Sequence, residues 1–154
     1  MALADDLLDV ASGLIPSGPG RSSQARLRRA ISTAYYSVFH ALAKSNADLL
    51  VAARPGVLER AWAQAYRALQ HAAFEDGKRR KTLKTFPATV RTFVDKFEEL
   101  RRQRLRADYD PNASFTRSDA IASIIIARHA LLLLGRQQRR DLRALAVLTL
   151  LPQR

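Results

Sequence analysis

Residues 27–42 read LRRAISTAYYSVFHAL, and this stretch decides the fold class. It contains neither glycine nor proline, and no part of the chain shows the sustained period of two that marks a strand. Its apolar residues recur at the three- and four-residue spacing of one helix face: Leu27, Ile31, Ala34, Val38 and Leu42. The stretch therefore predicts a long amphipathic helix with a buried face.

Prolines and glycines are few and grouped elsewhere, so they divide the chain into further helices. Ser22 or Ser23 is a suitable N-cap for the long helix, and Thr116 with Asp119 three residues later forms a capping box for another. The breaks predict helices over 3–14, 23–51, 57–74, 87–110 and 116–134. We therefore expect an all-α fold, an up-and-down bundle of four to five helices over residues 1–135. Gly135 either ends or bends the last of them.

In the same prediction, residues 136–154 form a separate basic, amphipathic C-terminal helix or tail. Leucines recur every three residues after an arginine-rich start, at Leu142, Leu145, Leu148 and Leu151. Such a helix can lie on a membrane, bind a groove of a partner or dock on its own bundle. The short apolar face favours docking over a membrane.

Two other helices carry apolar patterns that indicate how they pack. The helix over 57–74 has a stripe typical of core at Leu58, Trp62, Ala65 and Leu69. The helix after Thr116 has almost no polar face and is expected to be central in the bundle or buried between subunits. Its apolar residues are Ile121, Ile124, Ile125, Ala127, Leu131 and Leu132.

The sequence also predicts a soluble, cytoplasmic protein without membrane contact. The longest apolar run, residues 120–134, is interrupted by Arg128 and His129 and is too short to span a bilayer. The acidic N-terminus, with Asp5, Asp6 and Asp9, does not read as a secretory signal.

The chain has 26 basic and 14 acidic residues, a formal charge of +12, and much of the excess lies in one segment. Residues 77–106 hold eleven bases against three acids, including the run from Lys78 to Lys84. This concentration indicates a surface for a polyanion, although a solvated basic surface that only maintains solubility explains the same total. Cysteine is missing from the sequence, which excludes disulfides, thiolate metal sites and a cysteine nucleophile.

The three histidines, His40, His71 and His129, fall on three different expected helices, and none has the spacing of a metal site. The sequence also lacks glycine-rich phosphate loops and nucleophile elbows. We therefore expect neither a metal nor a cofactor, and each histidine is interpreted as an ordinary helix residue.

The apolar face of the helix over 87–110 runs into an arginine. Arg104 continues, at the same spacing, the face formed by Val90, Phe93, Val94, Phe97 and Leu100. An arginine on such a face needs a partner, and Asp108 four residues later is the nearest. Two interpretations stay open: an Arg104–Asp108 clip that orders the helix end, or an arginine that grips phosphate in a cleft with Tyr109 as a second hydrogen-bonding group.

Two stretches together resemble a known family. Residues 28–42, RRAISTAYYSVFHAL, are similar to the first long helix of HEPN (higher eukaryotes and prokaryotes nucleotide-binding) domains. Residues 104–110, RLRADYD, followed by FTR at 115–117, resemble the Arg…Ala-Asp-Tyr-Asp end of a later helix in that family. The resemblance covers roughly residues 3–134.

This resemblance implies a helical bundle that forms a homodimer, with the arginine regions of the two subunits facing each other. Many members are metal-independent ribonucleases, including toxins paired with nucleotidyltransferase antitoxins and effectors of phage defence. Their catalytic motif is an arginine followed, after four to six residues, by a histidine. Here Arg104 matches the arginine and Tyr109 occupies the histidine position.

The substitution changes the chemistry available at this position. Tyrosine, with a pKa of about 10, is a poor general base at neutral pH, whereas histidine titrates there. Cleavage would then need Asp108 or His40 as the base, while RNA or nucleotide binding is unaffected by the change.

The expected function is that of an RNA-binding protein, and in its active form a metal-independent endoribonuclease of a toxin–antitoxin or defence system. The catalytic set is Arg104, Tyr109 and Asp108. The RNA- and phosphate-binding set is Arg101, Arg102, Arg106, Lys78, Arg79, Arg80, Lys81 and Lys84. Tyr35, Tyr36 and His40 support these groups. The alternatives are a non-catalytic helical interaction module and a nucleotide sensor that binds a protein partner.

Overall fold

The structure is a computed structural model that describes residues 2–18, 23–51 and 57–152. Within these ranges every regular element is an α-helix, so the predicted all-α fold is confirmed. The helices are α1 (Ala2–Gly13), α2 (Gln24–Leu50), α3 (Val57–Arg67), α4 (Gly77–Leu83), α5 (Ala88–Tyr109), α6 (Arg117–Arg136) and α7 (Arg139–Leu150). Ser23 is the N-cap residue of α2, and Ser22 lies outside the described residues.

The long helix α2 lies at the centre of the bundle and packs against α1, α3, α5, α6 and α7. The predicted α2 stripe from Leu27 to Leu42 is buried throughout, because five neighbours leave this face no access to water. An aromatic group fills the core between α2 and α5, where Tyr35 meets Phe97 edge to face at 5.5 Å and Phe97 meets Phe74 at 5.2 Å. The packing of α2 on α5 therefore sets the position of the arginine-rich end of α5.

The chain between α3 and α5 differs from the prediction. The helix expected over 57–74 ends at Arg67, and residues 68–76 form turns that bury Leu69, Ala73 and Phe74 in the core. A further helix, α4, then begins at Asp76, whose carboxylate accepts hydrogen bonds from the first backbone N–H groups. His71 consequently lies in a turn and not on the helix that the sequence predicts.

The prediction of a core stripe on α3 is wrong at its first position. Leu58 is 39% exposed, Trp62 and Ala65 are half-buried, and only Leu69, beyond the helix end, is buried. The reason is that, among the described helices, α3 packs extensively on α2 alone. The indole N–H of Trp62 donates a hydrogen bond of 2.8 Å to the carboxylate of Asp48.

The helix α6 is capped as predicted but is not central. Thr116 and Asp119 form the capping box, and α6 packs on α2, α5 and α1. In the single chain Ile121, Ile125 and Leu132 are 42%, 60% and 57% exposed, because α2 rather than α6 occupies the centre.

The length of α6 also corrects the expectation that its apolar run is too short for a bilayer. The residues on either side of that run, including Gly135, are helical too. The whole helix therefore has 20 residues, and its most apolar part has a mean hydropathy of 1.5. By length and composition alone the helix could therefore cross a membrane. Core helices of soluble proteins pass the same test, so this is weak evidence for a membrane span.

The C-terminal helix α7 docks on the bundle. Leu145 and Leu148 belong to the main core, and the helix packs on α2. Asn46 of α2 donates a buried hydrogen bond of 3.1 Å to the hydroxyl of Thr149. The basic segment after Gly135 thus completes the core that the first 135 residues begin.

Candidate functional site

Arg104 is held by partners on two helices. The residue is 8% exposed, and its Nε lies 2.9 Å from the Asp108 Oδ2 one turn further along α5, in the geometry of an ion pair. Its Nη2 donates a hydrogen bond of 2.8 Å to the hydroxyl of Tyr36 on α2. The Nη1 atom has no partner among the described residues. The predicted clip is therefore present, and one amino group of the guanidinium remains unused.

Three tyrosine rings enclose the same guanidinium. Its central carbon lies 5.9 Å from the ring centre of Tyr35, 5.4 Å from that of Tyr36 and 5.3 Å from that of Tyr109. These distances are in the range of cation–π attraction. Tyr35 is fully buried, whereas Tyr109 is 69% exposed and forms the outer wall. The ring of Tyr109 can thus stack on a base while the arginine lies directly behind it.

Asp108 is already engaged. Its Oδ2 accepts a hydrogen bond of 3.1 Å from the hydroxyl of Ser32 in addition to the ion pair with Arg104. The carboxylate therefore ties α2 to the end of α5, and its Oδ2 is already occupied by these two contacts.

Arg101, which the sequence placed among the phosphate-binding residues, points into the protein. It is 5% exposed and forms ion pairs with Glu75 and, at 3.3 Å, with Glu98. Burial raises the pKa of Glu98. Arg101 therefore holds the 68–76 turns against α5, and its charge is balanced by these carboxylates.

His71 is the site residue that sequence reasoning missed. Its Nδ1 lies 2.7 Å from the hydroxyl of Tyr35, and its ring stacks on Phe39 with centroids 4.4 Å apart. Burial, and then the charges of nearby Arg104 and Arg101, lower its pKa. The other nitrogen, Nε2, has no partner among the described residues.

His40 occupies a different position. Its Nδ1 lies 2.6 Å from the hydroxyl of Tyr66, and its ring stacks on Tyr66 at 5.9 Å. Burial lowers the pKa of His40 as well. The His40 ring also lies 6.1 Å from that of Tyr36, which Arg104 bonds. The two histidines form similar tyrosine pairs, but Tyr35, the partner of His71, contacts Arg104, whereas no contact joins Tyr66 to Arg104 in the described part of the chain.

The basic run on α4 separates into two groups. Lys78, Lys81 and Lys84 are exposed. Arg79 instead donates to the backbone carbonyls of Ala73 at 3.1 Å and Leu151 at 3.2 Å, and Arg80 Nε donates to that of Phe74 at 3.1 Å. The lysines are thus free to meet a ligand, while the arginines also hold α4 on the bundle.

The remaining predicted cations lie on the outer face of α5. Arg102 and Arg106 are exposed, and the guanidinium of Arg106 lies 5.6 Å from the ring of Phe115. No acidic residue in the described ranges forms an ion pair with either of them. They flank the Arg104–Tyr109 pair.

Arg28 is a further residue of the site, and the sequence pattern predicts no role for it. Its Nη1 donates to the carbonyls of Ala107 and Asp110, both at 2.9 Å, and its Nη2 donates to that of Ala113. The last carbonyls of a helix have no partner within it, so this cation caps the end of α5 and offsets its dipole. Arg28 therefore fixes the backbone that presents Tyr109.

Known proteins offer no guide to these groups. In comparisons with family models, with curated proteins and with solved structures, the chain has no significant match. The function must therefore be argued from the enclosed Arg104, the exposed Tyr109 and the cations around them.

Proposed function

We propose that this protein is a soluble, cytoplasmic RNA-binding protein of the HEPN type. The observation that carries the proposal is the set of exposed cations on α4 and along α5, the helix that ends at the open ring of Tyr109. In residues 77–106, only Arg101 and Arg104 of the eleven bases form ion pairs among the described residues. Apart from Arg91 and Lys96, the other seven make up the proposed RNA surface and keep charges that a phosphate backbone can neutralise.

The chemistry of the surface favours RNA over an acidic protein. Lysines and arginines supply binding to phosphates, and an exposed aromatic ring supplies stacking for an unpaired base. Arg104, held behind Tyr109, adds positive charge to the face on which a base or phosphate would lie. A docking surface for an acidic protein would need the cations alone, whereas the exposed ring of Tyr109 also supplies a stacking face for an unpaired base.

The same proposal includes a homodimer and a partner protein. The HEPN resemblance implies paired arginine regions, and α6 leaves Ile121, Ile125 and Leu132 exposed in the single chain. We propose a toxin–antitoxin or defence system, with a nucleotidyltransferase-type antitoxin as the partner. Light scattering of the purified chain tests the dimer: a monomeric mass at tens of micromolar would contradict it.

RNA binding is tested by the anisotropy of a fluorescent single-stranded RNA between 50 and 300 mM KCl. We expect affinity to fall steeply with salt, with a log–log slope of about −0.7 for each phosphate that the protein neutralises. The double variant Lys78→Ala/Lys81→Ala should weaken binding and flatten this slope. Its control, Arg60→Ala/Arg67→Ala on α3, removes the same exposed charge elsewhere. Equal effects of the two variants, or binding that ignores salt, would refute the proposed surface.

A second candidate function, metal-independent cleavage of RNA, is favoured by the position of His71. The histidine and Arg104 contact the same two rings, Tyr35 and Tyr36. In the proposed step His71 Nε2 removes the proton of a ribose 2′-hydroxyl, whose oxygen attacks the adjacent phosphorus. A 2′,3′-cyclic phosphate forms, the 5′-oxygen leaves and takes up a proton, and Arg104 Nη1 stabilises the charge on the phosphorus oxygens.

Cleavage is tested with end-labelled RNA in EDTA. His71→Ala should abolish it while leaving the anisotropy signal for RNA binding intact. His40→Ala is the matched control, because it removes the other tyrosine-paired histidine. If the RNA stays intact at a large excess of wild-type protein, the cleavage proposal is wrong, whereas the binding proposal is unaffected.

A further inference from the structure

A basic cleft lies between α4 and residues 88–102 of α5, and neither Arg104 nor Tyr109 lines it. Its volume is about 560 Å³, within the range of small-molecule sites. Its floor is apolar and is formed by Phe74, Leu83, Ala88 and Val94. We call it the α4–α5 cleft.

Four cations line this cleft: Arg80, Lys84, Arg91 and Arg102. None of the four forms an ion pair with a carboxylate in the described parts of the chain. Two carboxylates, of Asp95 and Glu98, also line it, but Glu98 is paired with the buried Arg101. Arg80 and Arg102 also act electrostatically on Glu98, so the four cations and two carboxylates together leave the walls a net positive charge around one concave space.

The start of α5 also borders this space. Residue Pro87 precedes α5 and supplies no side-chain cap, so the first N–H groups of a 22-residue helix are left for other acceptors. The first turn reaches the cleft through Ala88 and Arg91. A helix start with open N–H groups favours an anion, and here it supplements four cationic side chains.

We propose that the α4–α5 cleft binds the phosphate group of a nucleotide-sized ligand. Cations and the start of α5 would hold the phosphate, and the apolar floor would contact the uncharged part of the ligand. This chemistry has two sources, a free nucleoside phosphate and the terminal phosphate of an RNA. The site differs from the proposed RNA surface because it is a concave pocket rather than a track, and because Arg91 is outside that surface.

Calorimetry tests the cleft with inorganic triphosphate, ATP and adenosine, and with one RNA oligonucleotide carrying either a 5′-phosphate or a 5′-hydroxyl. We expect the phosphate-bearing probes to bind and adenosine to fail. Arg91→Ala should weaken their binding by roughly tenfold, the effect of removing one charge-assisted hydrogen bond. Lys96→Ala, on the same helix but outside the cleft, is the matched control.

The outcomes separate the sources. Binding of triphosphate or ATP that depends on Arg91 identifies a free nucleoside phosphate, and Arg91-dependent preference for the 5′-phosphorylated RNA alone identifies an RNA end. Binding of none of these probes at millimolar concentration, or equal effects of Arg91→Ala and Lys96→Ala, overturns the proposal. The proposed RNA function would still hold in that case if the 5′-hydroxyl RNA binds in a salt-dependent way, and if this binding depends on Lys78 and Lys81 but not on Arg91.

Discussion

The Nδ1 atom of His71, in the turns before α4, lies 2.7 Å from the hydroxyl of Tyr35 in the middle of α2. Tyr35 is fully buried, so this hydroxyl has no water to bond with and depends on the histidine for its partner. The contact joins residues 36 positions apart in the chain. It anchors the 68–76 turns to the core, and the other ring nitrogen of His71 has no partner among the described residues.

This arrangement predicts a pH dependence of stability. Burial lowers the pKa of both His71 and His40 below the unfolded value of 6.5. The unfolded chain therefore takes up protons first as pH falls, so the stabilisation is present above about pH 6.5 and declines below it. Urea unfolding between pH 7.5 and 5 should show a falling free energy of unfolding. His71→Phe should flatten this dependence, and His129→Gln, exposed on α6, is the control.

Removal of the Arg28 cap should destabilise the fold. Arg28→Ala leaves the carbonyls of Ala107, Asp110 and Ala113 without their donor. We expect the free energy of unfolding to fall by about 1–3 kcal/mol, since charge-assisted hydrogen bonds disappear at a half-buried helix end. Urea denaturation followed by circular dichroism measures it. Arg29→Ala, the exposed neighbour, should cost far less, and equal costs would contradict the capping role.

Arg104 and Asp108 should be energetically coupled. A double-mutant cycle with Arg104→Ala and Asp108→Ala compares each single change with the pair by urea unfolding. Because the arginine is 9% and the carboxylate 23% exposed at the side chain, we expect a coupling of about 1–2 kcal/mol, above that of a surface pair. A pair of exposed residues at the same spacing, Lys44 and Asp48, should give about 0.3–0.5 kcal/mol. Equal couplings would show that burial adds nothing to the clip.

The docking of α7 should depend on one hydroxyl. Thr149→Val keeps the shape of the side chain but removes the acceptor for Asn46 Nδ2. Both residues are buried, so an unpaired amide should cost about 1–3 kcal/mol. Thr149→Ser retains the hydroxyl and should be less destabilised, which thermal unfolding of the two variants would resolve. A smaller destabilisation by valine than by serine would mean that methyl packing, and not the hydrogen bond, holds α7.

Local rules were enough to predict much of this molecule. The apolar stripe of α2, the capping box of Thr116 and Asp119, and the Arg104–Asp108 pair all arise between residues at most four positions apart along a helix. Helix geometry fixes such relationships before any tertiary contact forms.

The rest depends on packing between distant segments. No periodicity in the sequence indicates that residues 68–76 bend to bury Phe74, and with that bend come the Tyr35–His71 contact and the pairing of Arg101 with Glu75. For a related reason, the sequence did not predict which side of α6 is exposed. A helix that is apolar on all sides does not reveal which side its neighbours cover.

The hydrogen bond from Asn46 to Thr149 spans 103 residues of sequence, and it sets a constraint on the order of folding. During synthesis α2 leaves the ribosome long before α7 exists, so the groove that receives Leu145 and Leu148 stays open until nearly all of the described chain has emerged. Contacts of such long range also slow folding, because a large loop must close before they form. The nascent chain therefore exposes an unfilled core during translation until α7, the last of the described helices, arrives to complete it.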